Sequence, residues 1–222
     1  MKIKKLAVTA LIILVPSLAT AIQFTKDNSV GDKVTQIIDG DSFKIKNKQT
    51  IRLASVDAPA LDKCYGPEAK EALSKLILGK RVVILEPYSD KFGRVMALVL
   101  SDGQIINELM VRNGYAIDTY DNFSAKAALQ DANTYARDHK LGIYSHLCSQ
   151  KDTPNPDCVI KGNHDQRQDK KLYSYPGCTN YGRTVVDLWQ DDQWFCSEQE
   201  AQEAGYLKSG DCKTGYPYQP AK

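Results

Sequence analysis

The sequence predicts a mainly β protein with helices (α+β). It reads as a small closed barrel of five short strands carrying three helices, followed by a small disulfide-stapled C-terminal module. Three observations predict this. Short β-branched runs alternate with tight-turn pairs such as Asp39-Gly40 and Asp102-Gly103 through the first two thirds of the chain. Three stretches between and after those runs have helical spacing. The last part, 158–212, holds four of the six cysteines in 55 residues, too short a piece to build a large core, so cross-links must help.

The elements follow in order. Residues 34–38 form a β-branched run that ends at Asp39-Gly40, and Phe43 and Ile45 alternate with Ser42 and Lys44 in the return strand 42–45. Asn47-Lys48 turns the chain into a third strand, 50–56, closed by Pro59. Gly66 at the cap, Pro67 in the first turn and Glu68 at the positive end of the dipole open a helix. Ala69, Ala72, Leu73, Leu76 and Ile77 are its apolar stripe and Gly79 ends it. A fourth strand is expected at 81–85, a turn at 90–93 and a fifth strand at 94–100. Residues 106–113 read as a short helix stopped by Gly114. Ser124 is expected to cap a last helix reaching about 139, with Gly142 beyond. Pro154 and Pro156 sit among polar residues, so 149–157 reads as a linker. In the last module Ser197-Glu198-Gln199-Glu200 is a capping box for a helix that Gly205 closes.

Residues 1–21 read as a secretory signal peptide. Lys2, Lys4 and Lys5 charge its start, 6–15 is mostly apolar but short for a membrane span, and Ala19 and Ala21 form an A-x-A site with cleavage expected after Ala21. The domains are then 22–148 and 158–222, and the protein is expected to be secreted or periplasmic, without a membrane anchor, and monomeric. An oxidising compartment and an even cysteine count favour disulfides. Zinc is disfavoured, because no C-x(2–4)-C pair occurs and the only histidines are His139, His146 and His164.

Of the 222 residues, 42% are hydrophobic and 25% charged, enough for a real core, which excludes disorder, collagen and coiled coil. Without the three leader lysines the 29 basic residues become 26 against 27 acidic, so the mature chain is not a basic coat for nucleic acid. The last module carries slightly more acidic than basic residues and offers no obvious polyanion patch.

Three clusters carry chemistry: Asp39-Gly40-Asp41-Ser42, then 52–59 from Arg52 to Pro59, then 90–94 from Asp90 to Arg94. Each sits at a strand end or turn, where a scaffold presents functional groups. Asp39 reads as a turn residue. Asp41 and Asp57 supply carboxylate oxygens that suit a hard cation such as Ca²⁺. Arg52 and Arg94 supply guanidinium forks for phosphate oxygens. Together they describe a site for cutting phosphodiesters.

The segments VTQIIDGDSFKI, IRLASVDAP, YGPEAKEALSKL and DKFGRVMALVLSDGQIINELMVRNGYA resemble the staphylococcal nuclease (thermonuclease) family over about 34–148. The resemblance implies an OB-fold barrel with three helices and Ca²⁺-dependent cleavage of DNA and RNA. It makes Asp41, Asp57 and the carbonyl of Ala58 the calcium ligands and Arg52 and Arg94 the phosphate clamps. Lys91, Phe92 and Tyr120 fall where the family contacts substrate. Family members usually read D-x-P-E; here the run is Asp57-Ala58-Pro59-Ala60, and Ala60 cannot accept a proton. Loss of general-base help costs ~10²–10⁴-fold. Asp62 is the nearest substitute carboxylate. The expected activity is therefore an exported nuclease of reduced efficiency, with a catalytically weak nucleic-acid-binding protein as the alternative and a scaffold module as a third reading.

Cys64 precedes the first helix and Cys148 follows the last, so a bond between them would staple the C-terminal helix near the site. The remaining cysteines allow three pairings, and Cys158–Cys212 with Cys178–Cys196 inside is the expected one. The tail segments CVIKGN, YPGCTNY and WFCSEQEAQEAGY resemble a small cysteine-containing module carried by some exported bacterial nucleases. Its Tyr173, Tyr175, Tyr181, Trp194 and Phe195 read first as the core of a tiny domain and second as a stacking platform for bases.

Overall fold

The computed structural model describes residues 31–119, 124–165 and 168–212. The expected leader and Tyr120 lie outside the described residues. Three antiparallel strands open the fold: β1 (Asp32–Ile37), β2 (Ser42–Ile45) and β3 (Thr50–Leu53). After β4 (Val56–Asp57) and helix α1 (Gly66–Ile77) come β5 (Arg81–Ser89), β6 (Val95–Ser101) and the short β7 (Gln104–Ile105). The sheet order is β3-β2-β1-β5-β6-β7, and β3 also pairs in parallel with β6, which closes a five-stranded barrel. Closure removes the exposed strand edges. Helix α2 (Ile106–Arg112), β8 (Ile117–Asp118) and α3 (Lys126–Asp138) complete the first module. Phe43, Ile51, Leu53, Val99 and Met110 are among the residues buried inside the barrel and under its helices. This is the OB-like, mainly β architecture with helices that the sequence predicts.

Three local differences have clear causes. The third strand does not run on to 56. Ser55 takes a left-handed φ of 56°, and Ala54 N–H donates to Ala97 O at 2.8 Å, so the chain turns off the barrel into β4, which pairs with β8. The fourth strand runs on to Ser89, because a register shift between Leu85 and Tyr88, with Glu86 at φ 49°, absorbs the bend. Ser124 does not cap α3. The cap position is Ala125, without a side-chain cap, and Ser124 Oγ donates to Glu86 instead.

One buried side chain ties the barrel together. Asn107, at the start of α2, donates to Ala54 O at 2.9 Å and Ala97 O at 3.1 Å and accepts from Val99 N–H at 2.9 Å. It satisfies backbone groups of β6 and of the loop after β3, and so holds the two chains that flank the site.

The second module is a four-stranded sheet and a helix. β10 (Ile160–Asp165), β11 (Lys170–Ser174), β13 (Gln193–Phe195) and β14 (Leu207–Lys208) stack in the order β13-β10-β11-β14, with α4 (Glu198–Glu203) against them. Ser197 Oγ accepts from Glu200 N–H at 3.1 Å and Glu200 accepts from Cys196 N–H at 2.7 Å, which is the expected capping box with its return bond shifted by one residue. Tyr173, Tyr175 and Phe195 are buried with Ile160 and Tyr206, so these rings are core and not a base platform.

Disulfides join Cys64 to Cys148, Cys158 to Cys196 and Cys178 to Cys212. The tail pairing differs from the nested one expected. Cys158 enters β10 beside β13, and the Ile160–Phe195 register brings Cys196 next to it. That leaves Cys178 for Cys212.

The modules are joined by more than a tether. β9 (Ser149–Gln150) pairs with β12 (Val186–Asp187), so the expected linker begins as a strand. Trp194 Nε1 donates to Gln150 Oε1 at 2.7 Å. No helix among the described residues is long and apolar enough to cross a membrane.

Candidate active site

The turn 38–41 delivers the first carboxylate. Gly40 lies so close to α1 that a Cβ there would meet Ala58 Cβ at 2.6 Å and Ala69 Cβ at 2.7 Å. Only glycine lets the turn pack this tightly, and that packing carries Asp41 inward until the residue is 1% exposed. Asp41 Oδ1 accepts from Ser42 Oγ at 2.8 Å, and Oδ2 accepts from Ala58 N–H at 2.9 Å.

Arg52 comes from β3, in register with Ser42. Its guanidinium is forked across the two acids: Nη1 binds Asp41 Oδ1, and Nη2 reaches Asp57 Oδ1 at 2.5 Å. Asp57 sits on β4, where the break at Ser55 has turned the chain off the barrel sheet to pair with β8. Burial pushes the Asp41 carboxyl up to about 7, against the pull of Arg52. Burial also raises Asp57, again opposed by Arg52. The structure thus brings Asp41, Arg52, Asp57 and Ala58 into one cluster held by a charged fork.

Arg94 stands at the end of the β5–β6 turn. Asp90 orients it: Asp90 Oδ2 accepts from Arg94 Nε at 2.7 Å and Oδ1 accepts from Arg94 N–H at 2.8 Å. Arg94 acts electrostatically on Asp57, so it belongs to the same field. Phe92 is 70% exposed, with Lys91 and Arg94 over its ring at 5.0 and 5.3 Å. Lys91, Phe92 and Arg94 therefore share one exposed hairpin tip near the acids. Tyr120 lies outside the described residues. Asp39 is a turn residue, as expected, accepting from Asp41 N–H at 3.2 Å.

Ala60 lines a cavity of about 260 Å³ with Asp57 and Ala58. Gly66 fixes the loop that carries it, because a Cβ at 66 would lie 1.9 Å from Ala60 O. Asp62 is exposed in the following turn and does not line this cavity. The opposite wall is one that sequence reasoning missed: Trp189, Gln190 and Asp191 of the tail. Leu188 N–H donates to Cys148 O at 2.7 Å, its carbonyl accepts from Cys64 N–H at 3.3 Å, and Lys63 Nζ binds Asp191 at 2.8 Å. The Lys63 hydrogen bond, helped by His164, holds Asp191 below the usual carboxylate range despite partial burial. The only signal in the sequence for this contact was the position of Cys64 beside the site loop.

The chain matches the family described as "Staphylococcal nuclease homologue" over residues 50–146. A protein of Escherichia coli described as an uncharacterized endonuclease is 30% identical over 117 residues, which cover 51% of this chain and 76% of that protein. A micrococcal nuclease of Shigella flexneri is 30% identical over 152 residues, covering 63% of this chain and 84% of that protein. Barrel topology, the Asp41–Arg52–Asp57 cluster and these matches agree: the chain belongs to the staphylococcal nuclease homologue family.

Proposed function

We propose that this protein is an exported nuclease that hydrolyses phosphodiester bonds of DNA and RNA with the help of calcium. The observation that carries the reading is the cluster of Asp41, Asp57 and Ala58 with Arg52 forked across both acids. The donor set fits the ion. Two carboxylates and a backbone carbonyl are hard oxygen ligands. A buried carboxyl whose proton is held up to about 7 is one that a cation would relieve. When bound, calcium supplies Lewis-acid polarisation of the phosphoryl oxygen and activates water.

The protein's own groups do the rest. Arg52 holds Asp41 and Asp57 in place with two nitrogens and keeps further N–H groups for a phosphate oxygen. Arg94, fixed by Asp90 through Nε, offers its terminal nitrogens to the same phosphate. Such donors stabilise the charge that builds up as the bond breaks. Lys91 and Phe92 would meet the flanking phosphate and base from the hairpin tip. No carboxylate stands at 60 to position the attacking water, so the activity is expected to be reduced.

The test is cleavage of single-stranded DNA and of RNA by purified mature protein, with calcium and with a chelator. Calcium-dependent cleavage supports the reading, and none with either substrate contradicts it. Ala60→Glu is expected to raise the rate at least ~10-fold, less than a well-placed base gives because the loop has not been shaped around a glutamate. A specific observation, the alanine at 60, favours a second reading: a nucleic-acid-binding protein of weak activity. A slow parent and an equally slow glutamate variant, both binding oligonucleotide, would bring that reading forward.

A further inference from the structure

The cavity beside Asp57 is not isolated. It shares Ile117, Trp189 and Gln190 with a second cavity of about 530 Å³, which lies between α3 and the tail. That one shares Lys140, Tyr144 and Ser149 with a third, also about 530 Å³, that reaches Lys151. The three form one continuous groove leading away from the acids. The barrel and α3 make one wall, and the tail segment around Trp189 makes the other. Asn133 and Arg137 stand one turn apart on α3, so they face the groove together.

The charge in the groove has a direction. Asp191 is bridged to Lys63, Asp187 accepts from Ser149 Oγ at 2.5 Å, Asp118 is buried, and Asp152 stands beside Lys151 only at the far end. Arg137 and Lys140 are exposed and make no salt bridge among the described residues. Arg137 is steadied on the Tyr144 ring at 5.3 Å, and Tyr144 in turn donates to Asn133 Oδ1 at 2.6 Å. Trp189, common to the first two cavities, has a buried Nε1 with no hydrogen-bond partner among the described residues. Two cations without carboxylate partners among the described residues and the Trp189 indole, along a path that starts at the phosphate clamp, suit a polyanion with aromatic units.

We propose that this groove is a subsite for single-stranded nucleic acid, in which the strand leaving the cleaved phosphate passes Trp189 and sets later phosphates on Arg137 and Lys140. The tail module is then the second wall of the substrate channel. The Leu188 backbone, hydrogen-bonded to both Cys148 and Cys64, keeps that wall in register with the metal loop. The larger compartments, about 530 Å³ each, are in the size range of small-molecule ligand pockets, and the indole of Trp189 can stack only on a base that is free of its partner strand. This rests on the nuclease reading and names its preferred substrate.

The test uses the full mature protein and the double variant Arg137→Gln, Lys140→Gln. One probe is a deoxynucleoside 3′,5′-bisphosphate, which reaches only the calcium and arginine cluster. The other is a non-hydrolysable single strand of about twelve nucleotides, in the range of known single-strand site sizes. Affinities are measured with calcium over a range of salt. The variant is expected to bind the long strand at least ~10-fold more weakly, with the salt slope reduced by about 1.4 for two lost phosphate contacts. Its affinity for the bisphosphate and its melting temperature should stay unchanged. An unchanged long-strand affinity and slope overturns the subsite, as does equal weakening on both probes. A duplex of the same length that binds as well and weakens as much overturns the single-strand assignment. If the parent binds the long strand but not the bisphosphate, the nuclease reading fails by itself; if it binds neither, both fail.

Discussion

Arg52→Lys is expected to lower the proposed phosphodiester cleavage by roughly 10²–10³-fold, the usual cost of losing one charge-stabilising donor at the reacting group. The lysine keeps the charge but not the fork. Arg52 reaches Asp41 and Asp57 from two different nitrogens, while the other N–H groups of its five-donor fork stay available for substrate. An ammonium gathers its three donors on one nitrogen and cannot span both acids at the fork's spacing and still face a phosphate, so either the acids drift apart or the phosphate loses its partner. The effect should extend to stability. Asp41 is 1% exposed, and removing the partner of a buried charge costs about 3–5 kcal/mol. Arg52→Ala should therefore lower the urea midpoint clearly, and Arg52→Lys by less. A lysine variant that cleaves as fast as the parent would show that the fork is not needed and that the clamp has been misassigned.

Replacing Cys64 and Cys148 together by serine is expected to cost about 4–5 kcal/mol, because the bond closes a segment of 84 residues. For a chain of this size each kcal/mol moves Tm by about 2–4 °C, so a drop of roughly 10–20 °C is expected by calorimetry. The damage should not be confined to stability. Leu188 bridges the two cysteines through its backbone, and it carries Trp189 to Asp191 to the wall of the site. A shift smaller than about 3 °C would mean that the closed segment is held in place without the bond, through the β9–β12 pairing and the Lys63–Asp191 bridge.

Much of the barrel was legible because its signals are local. Asp39-Gly40 marks a turn, Phe43 and Ile45 alternate, and the α1 stripe has the right period, so neighbouring elements announce themselves. Asp41 and Arg52 were legible as candidates for the same reason: one ends a turn and the other lies on the strand that pairs across it. What was hidden depends on pairings that no local pattern encodes. The break at Ser55 follows from β3 being held by β6 and β4 by β8, partners more than 40 and 60 positions away. The tail disulfides follow from the β10–β13 register, which four cysteines alone do not specify. Ser124 reads as a cap by residue type, yet its hydroxyl is taken by Glu86 from a bulge in β5. The wall formed by Trp189 and Asp191 was invisible because about 130 positions separate it from Asp57, and only the folded staple brings them together.

The most direct measurement of the central claim is a melting curve with calcium and a deoxynucleoside bisphosphate, alone and together, on the parent and on Asp41→Asn. It reads the proposed cation and phosphate site directly, without depending on the cleavage rate. A ligand that binds only the folded state stabilises it by RT ln(1 + [L]/Kd), about 2.7 kcal/mol at a hundredfold excess over Kd. The account expects a clear rise in the parent with both ligands present and its disappearance in Asp41→Asn. A parent curve that calcium and bisphosphate leave unmoved at any concentration would contradict it.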